Sequence, residues 1–197
     1  MVNELRLTGH MHRRQALGLA LGLAATALVC TAPAAAVEIS AHDFSFTSID
    51  GTPLPMSRYR GKAILLVNTA SQCGYTHQYD GLQALWSAYR DRGLVVVGVP
   101  SDDFDQELAS ESEIKRFCAV NFAIDFPMTE LQTVRGRNAH PLYRWIADTR
   151  GHTAAPRWNF WKYLITPDGQ IAGNWPSRVA PQSPELRAAI EAVLPQS

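Results

Sequence analysis

Cys73 sits in the stretch Asn68-Thr-Ala-Ser-Gln-Cys-Gly-Tyr-Thr76, between an apolar run and a helical pattern that begins near Thr76. A thiol placed there faces the positive end of a helix and its unpaired backbone N–H groups. Both favour the thiolate, the form of cysteine that acts as a nucleophile. Cys73 also takes the first place of a C-x-x-C redox spacing, with Thr76 in the second. A single thiol at such a position can attack a disulfide or a peroxide but has no local partner to resolve the product. The same pattern also accommodates a small buried apolar cysteine, so the stretch by itself leaves both readings open. The histidines His42, His77, His140 and His152 show no metal-ligand spacing with cysteine or carboxylate, so no metal and no bound cofactor is expected.

The elements around Cys73 follow from the hydrophobic pattern. Ala63-Ile-Leu-Leu-Val67 and Leu94-Val-Val-Val-Gly-Val99 are continuous apolar runs of the kind that form buried strands. Between them, from Tyr79 to Arg92, Leu82, Leu85, Trp86 and Tyr89 line one helical face, and Gly93 can close the helix. Strand, helix and buried strand make a βαβ unit with parallel pairing. Ser110 and Glu113 form a capping box for a second helix, with Ile114 and Phe117 on its apolar stripe. Phe126-Pro127-Met128 reads as a short extended piece, and Pro141 opens a helix through Leu142, Trp145 and Ile146. Tyr163–Ile165 and Gln170–Ala172 flank a Pro-Asp-Gly turn as a hairpin. Ser183 caps a last helix with Leu186, Ile190, Val193 and Leu194 inward. The fold class is α/β, with a central mixed sheet flanked by helices.

The chain has 197 residues, 46% of them apolar and 18% charged, so it can build a substantial core as one domain. Eighteen basic residues balance eighteen acidic ones, which gives no electrostatic reason to expect nucleic acid or an anionic membrane as partner. His12-Arg13-Arg14, the apolar run Ala16 to Val29 and Ala34-Ala35-Ala36 follow the order of an export signal. That run is shorter than the roughly 20 residues needed to span a bilayer, so a stable membrane anchor is not expected. Arg13-Arg14 permits the twin-arginine route as well as ordinary secretion, and Met11 is an alternative start. The expected organisation is a signal at 1–36 and one domain at 37–197, exported to the periplasm. Cutting after Ala36 discards Cys30 and leaves 161 residues with 15 basic and 17 acidic side chains and two cysteines, Cys73 and Cys118.

Four stretches recur together along the mature chain: Asn68–Thr76, Phe126-Pro127-Met128, His140-Pro-Leu-Tyr143 and Trp158-Asn-Phe-Trp-Lys-Tyr-Leu164. In order and spacing they resemble the cysteine-containing glutathione peroxidase family, over roughly Phe44 to Leu194. The resemblance implies a thioredoxin-like fold with Cys73 as the peroxidatic residue. The Cys73 thiolate then attacks a peroxide oxygen, becomes a sulfenic acid and releases water or an alcohol. Family members surround the nucleophile with a Trp, an Asn and a Gln, and Trp158 and Asn159 match the first two. Their N–H groups can donate to the sulfur and to the departing oxygen. The glutamine does not match: Pro100-Ser-Asp-Asp-Phe104 puts Asp103 in its place, and the next residues run one shorter than usual. An ionised Asp103 would oppose the thiolate; a protonated one could donate a hydrogen bond; as a base it could take a proton; or it points to water.

Cys118, in Ile114-Lys-Arg-Phe-Cys-Ala-Val120, falls where family members that use thioredoxin carry a resolving cysteine. The resemblance therefore implies a Cys73–Cys118 disulfide reduced by a thioredoxin-like protein, with the helix around Cys118 unwinding as the bond forms. Alternatives are a buried packing cysteine or a permanent structural disulfide. Only 14 residues separate Tyr143 from Trp158, shorter than in tetrameric members, which implies a monomer and a site open to a protein reductant or a lipid peroxide. Arg135, Arg137 and Arg157 form no clear cluster for the carboxylates of glutathione, so glutathione is the less favoured donor. His77 replaces a proline usual in the family at the helix start. The competing functions are an exported thiol–disulfide oxidoreductase and a redox-sensing interaction module.

Overall fold

A computed structural model describes residues 38–195. The export signal read at 1–36, with Cys30, lies outside the described residues. Two three-residue strands come first: β1 (Ser45–Thr47) pairs antiparallel with β2 (Pro53–Pro55). This hairpin is absent from the sequence reading, because strands so short, one with proline at both ends, show no alternating pattern.

The central unit is β3 (Ala63–Thr69), α1 (Gln78–Tyr89) and β4 (Leu94–Pro100), with β3 and β4 parallel. After it come α2 (Glu111–Phe122), α3 (Pro141–Arg150), β5 (Lys162–Ile165), β6 (Ile171–Trp175) and α4 (Pro184–Val193). The sheet order is β4-β3-β5-β6, with β5 antiparallel to both neighbours. This mixed sheet with its βαβ and ββα halves is the expected thioredoxin-like α/β fold.

Every residue of β3 and β4 is buried, because both sheet faces are covered. On one face Ile64, Leu66, Val97 and Tyr163 pack with Leu142, Tyr143 and Ile146 of α3. On the other, Leu65, Val67, Val96 and Leu164 pack with Leu82 and Leu85 of α1, Ile114 and Cys118 of α2, and Leu186 and Ile190 of α4. Helix α1 stops at Tyr89, three residues before the expected end. Arg90–Arg92 tightens into a 3-10 turn, and Gly93 at φ 91° reverses the chain. Ser183 Oγ accepts from the Leu186 N–H and Pro141 opens α3, as expected; of the capping box one half forms, Ser110 Oγ accepting from the Glu113 N–H, while the Glu113 carboxylate accepts from the Ser110 hydroxyl. Phe126-Pro127-Met128 lies beside β4, with a parallel bridge from Met128 to Gly98.

Candidate active site

Cys73 lies in the loop from the end of β3 to the start of α1, 7% exposed. The backbone N–H of Tyr75 donates to its Sγ at 3.4 Å. Thr76, in the second place of the redox spacing, does not offer a second thiol but braces the loop. Its Oγ1 accepts from the Cys73 N–H at 3.0 Å and lies 2.6 Å from the Cys73 carbonyl and 3.0 Å from that of Ala70. Successive tight turns, Cys73 to Thr76 and Tyr75 to Gln78, feed the chain into α1 two residues later than the sequence suggests. His77 is exposed, and its Nδ1 contacts the Gly74 carbonyl at 3.0 Å.

Trp158 and Asn159 reach this loop through Asn68. Asn68 is fully buried near the end of β3, five residues before Cys73. Its Nδ2 donates to the Trp158 carbonyl at 3.1 Å, and its Oδ1 accepts from the Trp161 N–H at 3.1 Å. Its own carbonyl accepts from the Phe160 N–H at 2.6 Å. One side chain thus clamps the whole turn before β5, and Phe160 within that turn adopts φ 60°. Trp158 remains 40% exposed, with its ring 5.3 Å from that of Phe104. Asn159 is fully buried. Its Nδ2 donates to Gln106 Oε1 at 3.1 Å, and the Gln106 carbonyl accepts from the N–H of Gln72, next to Cys73.

Asp103 is not part of this convergence. Its Oδ2 accepts from the N–H groups of Val134 and Arg135, at 2.6 and 3.0 Å. The carboxylate caps the loop before α3, and Gln106, not Asp103, meets Asn159. Gln106 is a residue that sequence reasoning missed.

Cys73 and Cys118 are both free thiols and belong to one apolar cluster. Cys118 is 1% exposed on the inner face of α2. Burial pushes its thiol up to about 11; the neighbouring Tyr79 hydroxyl opposes that shift and Glu107 adds to it. Glu107 is itself buried, and burial raises its carboxyl above the ordinary value. Glu107 and Lys162, the latter fully buried on β5, are further polar residues that the sequence pattern did not single out.

A groove of ≈ 700 Å³ opens beside the loop. Tyr75, Trp158 and Trp161 give it aromatic walls, and Arg157 and Arg178 give it positive charge. Neither arginine is in an ion pair among the described residues. Tyr75 thus borders the groove and holds the Cys73 sulfur.

A model of the family described as glutathione peroxidase matches residues 41–147. The hydroperoxy fatty acid reductase gpx1 of Synechocystis sp. is 39% identical over 162 residues, covering 78% of this chain and 95% of that protein. The glutathione peroxidase-like peroxiredoxin gpx1 of Schizosaccharomyces pombe is 38% identical over 156 residues, covering 78% of this chain and 98% of its own. A crystal structure described as Trgpx in apo form aligns with a TM-score of 0.61 at 31% identity, over 78% of this chain and 96% of that one. The motifs around Cys73 and Trp158 therefore sit in a chain that matches its relatives almost end to end, and this protein belongs to the glutathione peroxidase family and is a peroxidase.

Proposed function

We propose that this protein is a two-cysteine thiol peroxidase that reduces hydrogen peroxide and organic or lipid hydroperoxides and is recycled by a thioredoxin-like protein. The observation that carries the reading is the Asn68 clamp, which brings the Trp158–Asn159 turn to the loop where Cys73 receives the Tyr75 N–H. The Cys73 thiolate attacks one peroxide oxygen, the O–O bond breaks, and the departing oxygen leaves as water or alcohol after taking a proton. The Trp158 indole and the Asn159 amide donate to the charge that develops there, and Gln106 orients that amide. Cys118 then attacks the Cys73 sulfenic acid, releasing water and leaving a disulfide that a dithiol protein reduces by exchange.

Substrate choice follows from the groove. Aromatic walls suit an acyl chain, and Arg157 and Arg178 suit a carboxylate at its end. The name of the Synechocystis relative, a hydroperoxy fatty acid reductase, agrees with a lipid substrate. The peroxiredoxin-like S. pombe relative agrees with a protein reductant rather than glutathione. The protein acts as an exported periplasmic monomer, its signal being residues 1–36.

One experiment tests the core of this reading. Reduced protein receives one equivalent of peroxide, and intact mass is read without reductant in the parent and in Cys118→Ser. The expected result is loss of two hydrogens in the parent and a trapped sulfenic acid on Cys73 in the variant. If both remain reduced while free cysteine reacts, the peroxidase mechanism is overturned. Cell fractionation checks the address: unprocessed protein in the cytoplasmic fraction contradicts export.

A further inference from the structure

Glu107 is a buried carboxylic acid that the steps above leave without a task. It is 9% exposed, and none of the ion pairs among the described residues includes it. Its Oε1 accepts from the N–H groups of Ser71 and Leu108, at 2.9 and 2.8 Å. Its Oε2 is buried with no hydrogen-bond partner, and so are Ser71 Oγ, Thr69 Oγ1 and the Tyr79 hydroxyl. Tyr79 packs in one buried cluster with Cys73 and Cys118, and the Glu107 carboxyl acts electrostatically on both Tyr79 and Cys118. Each buried polar atom without a partner costs about 1–3 kcal/mol. The two N–H bonds account for Oε1, but the buried Oε2 has no structural partner.

We propose that Glu107 is the proton carrier of the resolving step, taking the thiol proton of Cys118 as this sulfur attacks the Cys73 sulfenic acid and returning it to the departing hydroxide. The inference rests on the two-cysteine reading above. The step balances: the Cys118 S–H bond and the Cys73 S–O bond break, the S–S bond forms, and hydroxide plus the carried proton leave as water. No outside reductant enters. Cys118 needs such help, because burial in the folded helix holds its thiol up at about 11 and even an ordinary thiol is mostly protonated at neutral pH. A carboxyl raised by the same burial is a stronger base than an exposed one. The tether also has the right anchor. Glu107 is tied to Ser71, two residues before Cys73, and lies outside α2. It therefore stays with the Cys73 loop while Cys118 moves toward it.

The test uses the full chain, reduced and mixed with one equivalent of hydrogen peroxide, then quenched at intervals for intact mass. Glu107→Gln keeps a side-chain oxygen for the Ser71 and Leu108 N–H groups but cannot accept the proton. In it, sulfenic acid on Cys73 accumulates, and the disulfide forms about a hundredfold more slowly than in the parent. Its rate climbs with pH as the Cys118 thiol ionises. The parent shows an additional lower inflection from the carboxyl, whose titratable neighbours are Asp102, Tyr79 and Cys118. Disulfide formation at the parent rate in Glu107→Gln overturns the proposal. If that variant does not fold, the parent profile decides, and a thiol limb alone overturns it. A parent that forms no sulfenic acid on Cys73 overturns the peroxidase mechanism itself, and this inference falls with it.

Discussion

Lys162 Nζ donates to the Phe160 carbonyl at 2.7 Å, with the lysine fully buried on β5. Phe160 follows Trp158 and Asn159 and holds a left-handed backbone at φ 60°, which costs a non-glycine residue roughly 1–2 kcal/mol. The Lys162 bond and the Asn68 clamp fix that turn from opposite ends, so the lysine positions the Trp158–Asn159 pair. Burial pulls Lys162 down from 10.5 to about 7. Between those values the unfolded chain binds more protons than the native chain, so stability rises with pH, by at most roughly 1.4 kcal/mol per unit. Cys118 works the other way above 9.0, since its folded value of about 11 makes the native chain the better proton binder there. The clear window is therefore from about pH 7 to 9. Thermal midpoints across that window rise in the parent and stay level in Lys162→Met. An equal rise in both contradicts the assignment.

Asp103 separates architecture from chemistry. Its carboxylate satisfies two backbone N–H groups of the loop before α3. Asp103→Ala leaves both without that acceptor and lowers stability by about 1–3 kcal/mol in denaturant titration. The rate of Cys73 oxidation by hydrogen peroxide changes less than threefold. A hundredfold loss of that rate in a folded Asp103→Ala would return the residue to the reacting centre.

Asn159 gives the opposite expectation. It is buried and held by Gln106, and in the proposed mechanism its amide donates to charge that develops only in the transition state. Asn159→Ala slows Cys73 oxidation by roughly a hundredfold, the usual effect of losing one such donor. Gln106→Ala, which loosens the amide without removing it, gives a smaller loss. Stopped-flow tryptophan fluorescence with excess peroxide measures both. A larger loss in Gln106→Ala than in Asn159→Ala would mean that the glutamine, not the asparagine, meets the peroxide.

Strands β3 and β4 and the four helices were legible in the sequence because each carries its own periodicity and cap. The placement of Cys73 after β3, of Cys118 on α2 and of Trp158 and Asn159 before β5 was legible because motif and spacing mark those stretches. Gln106, Glu107 and Lys162 were not, and the reason is physical. A lysine in a short strand reads as solvent-facing; Lys162 is buried only because β5 is sandwiched, with Val67 of β3 on one side and Trp175 of β6 on the other. Glu107 reads as a loop acid until the Ser71 backbone, 36 positions away, is seen to donate to it. Asp103 took the glutamine's place by counting along the chain, while the glutamine that meets Asn159 is Gln106. Long-range pairing decides all of these, and local pattern carries no trace of it.

The groove beside Trp158 makes substrate charge measurable. Arg157 and Arg178 can pair with a fatty-acid carboxylate at a surface where one such contact contributes about 0.2–1 kcal/mol. The parent should prefer a free fatty-acid hydroperoxide over its methyl ester by a few-fold in kcat/KM, and more strongly at low salt. Arg157→Gln with Arg178→Gln should abolish that preference while hydrogen peroxide turnover holds. Equal use of acid and ester by the parent would remove the arginines from substrate recognition.

In the two-cysteine mechanism proposed above, helix α2 releases Cys118 for the disulfide to form. A disulfide needs its Cα atoms within about 7 Å, and Cys118 begins on the inner face of a helix, on a different element from Cys73. The helix is poorly anchored for its length: of twelve residues only Ile114 and Cys118 are buried, and Val120 is 74% exposed. Its end is strained as well, since Ala123 closes it at φ 49°. Unwinding the last two turns thus gives up one fully buried side chain, Cys118, which the new bond retains, and the partly buried Phe117 and Phe122. Hydrogen exchange should show lost protection over 115–122 in the peroxide-oxidised parent, with α1 and α4 unchanged. Far-UV dichroism should lose about seven helical residues, the content of two turns. Cys118→Ser treated with the same peroxide should keep full protection there, because a sulfenic acid on Cys73 makes no demand on α2. An oxidised parent with α2 protected as in the reduced state would mean that Cys118 is not the resolving thiol.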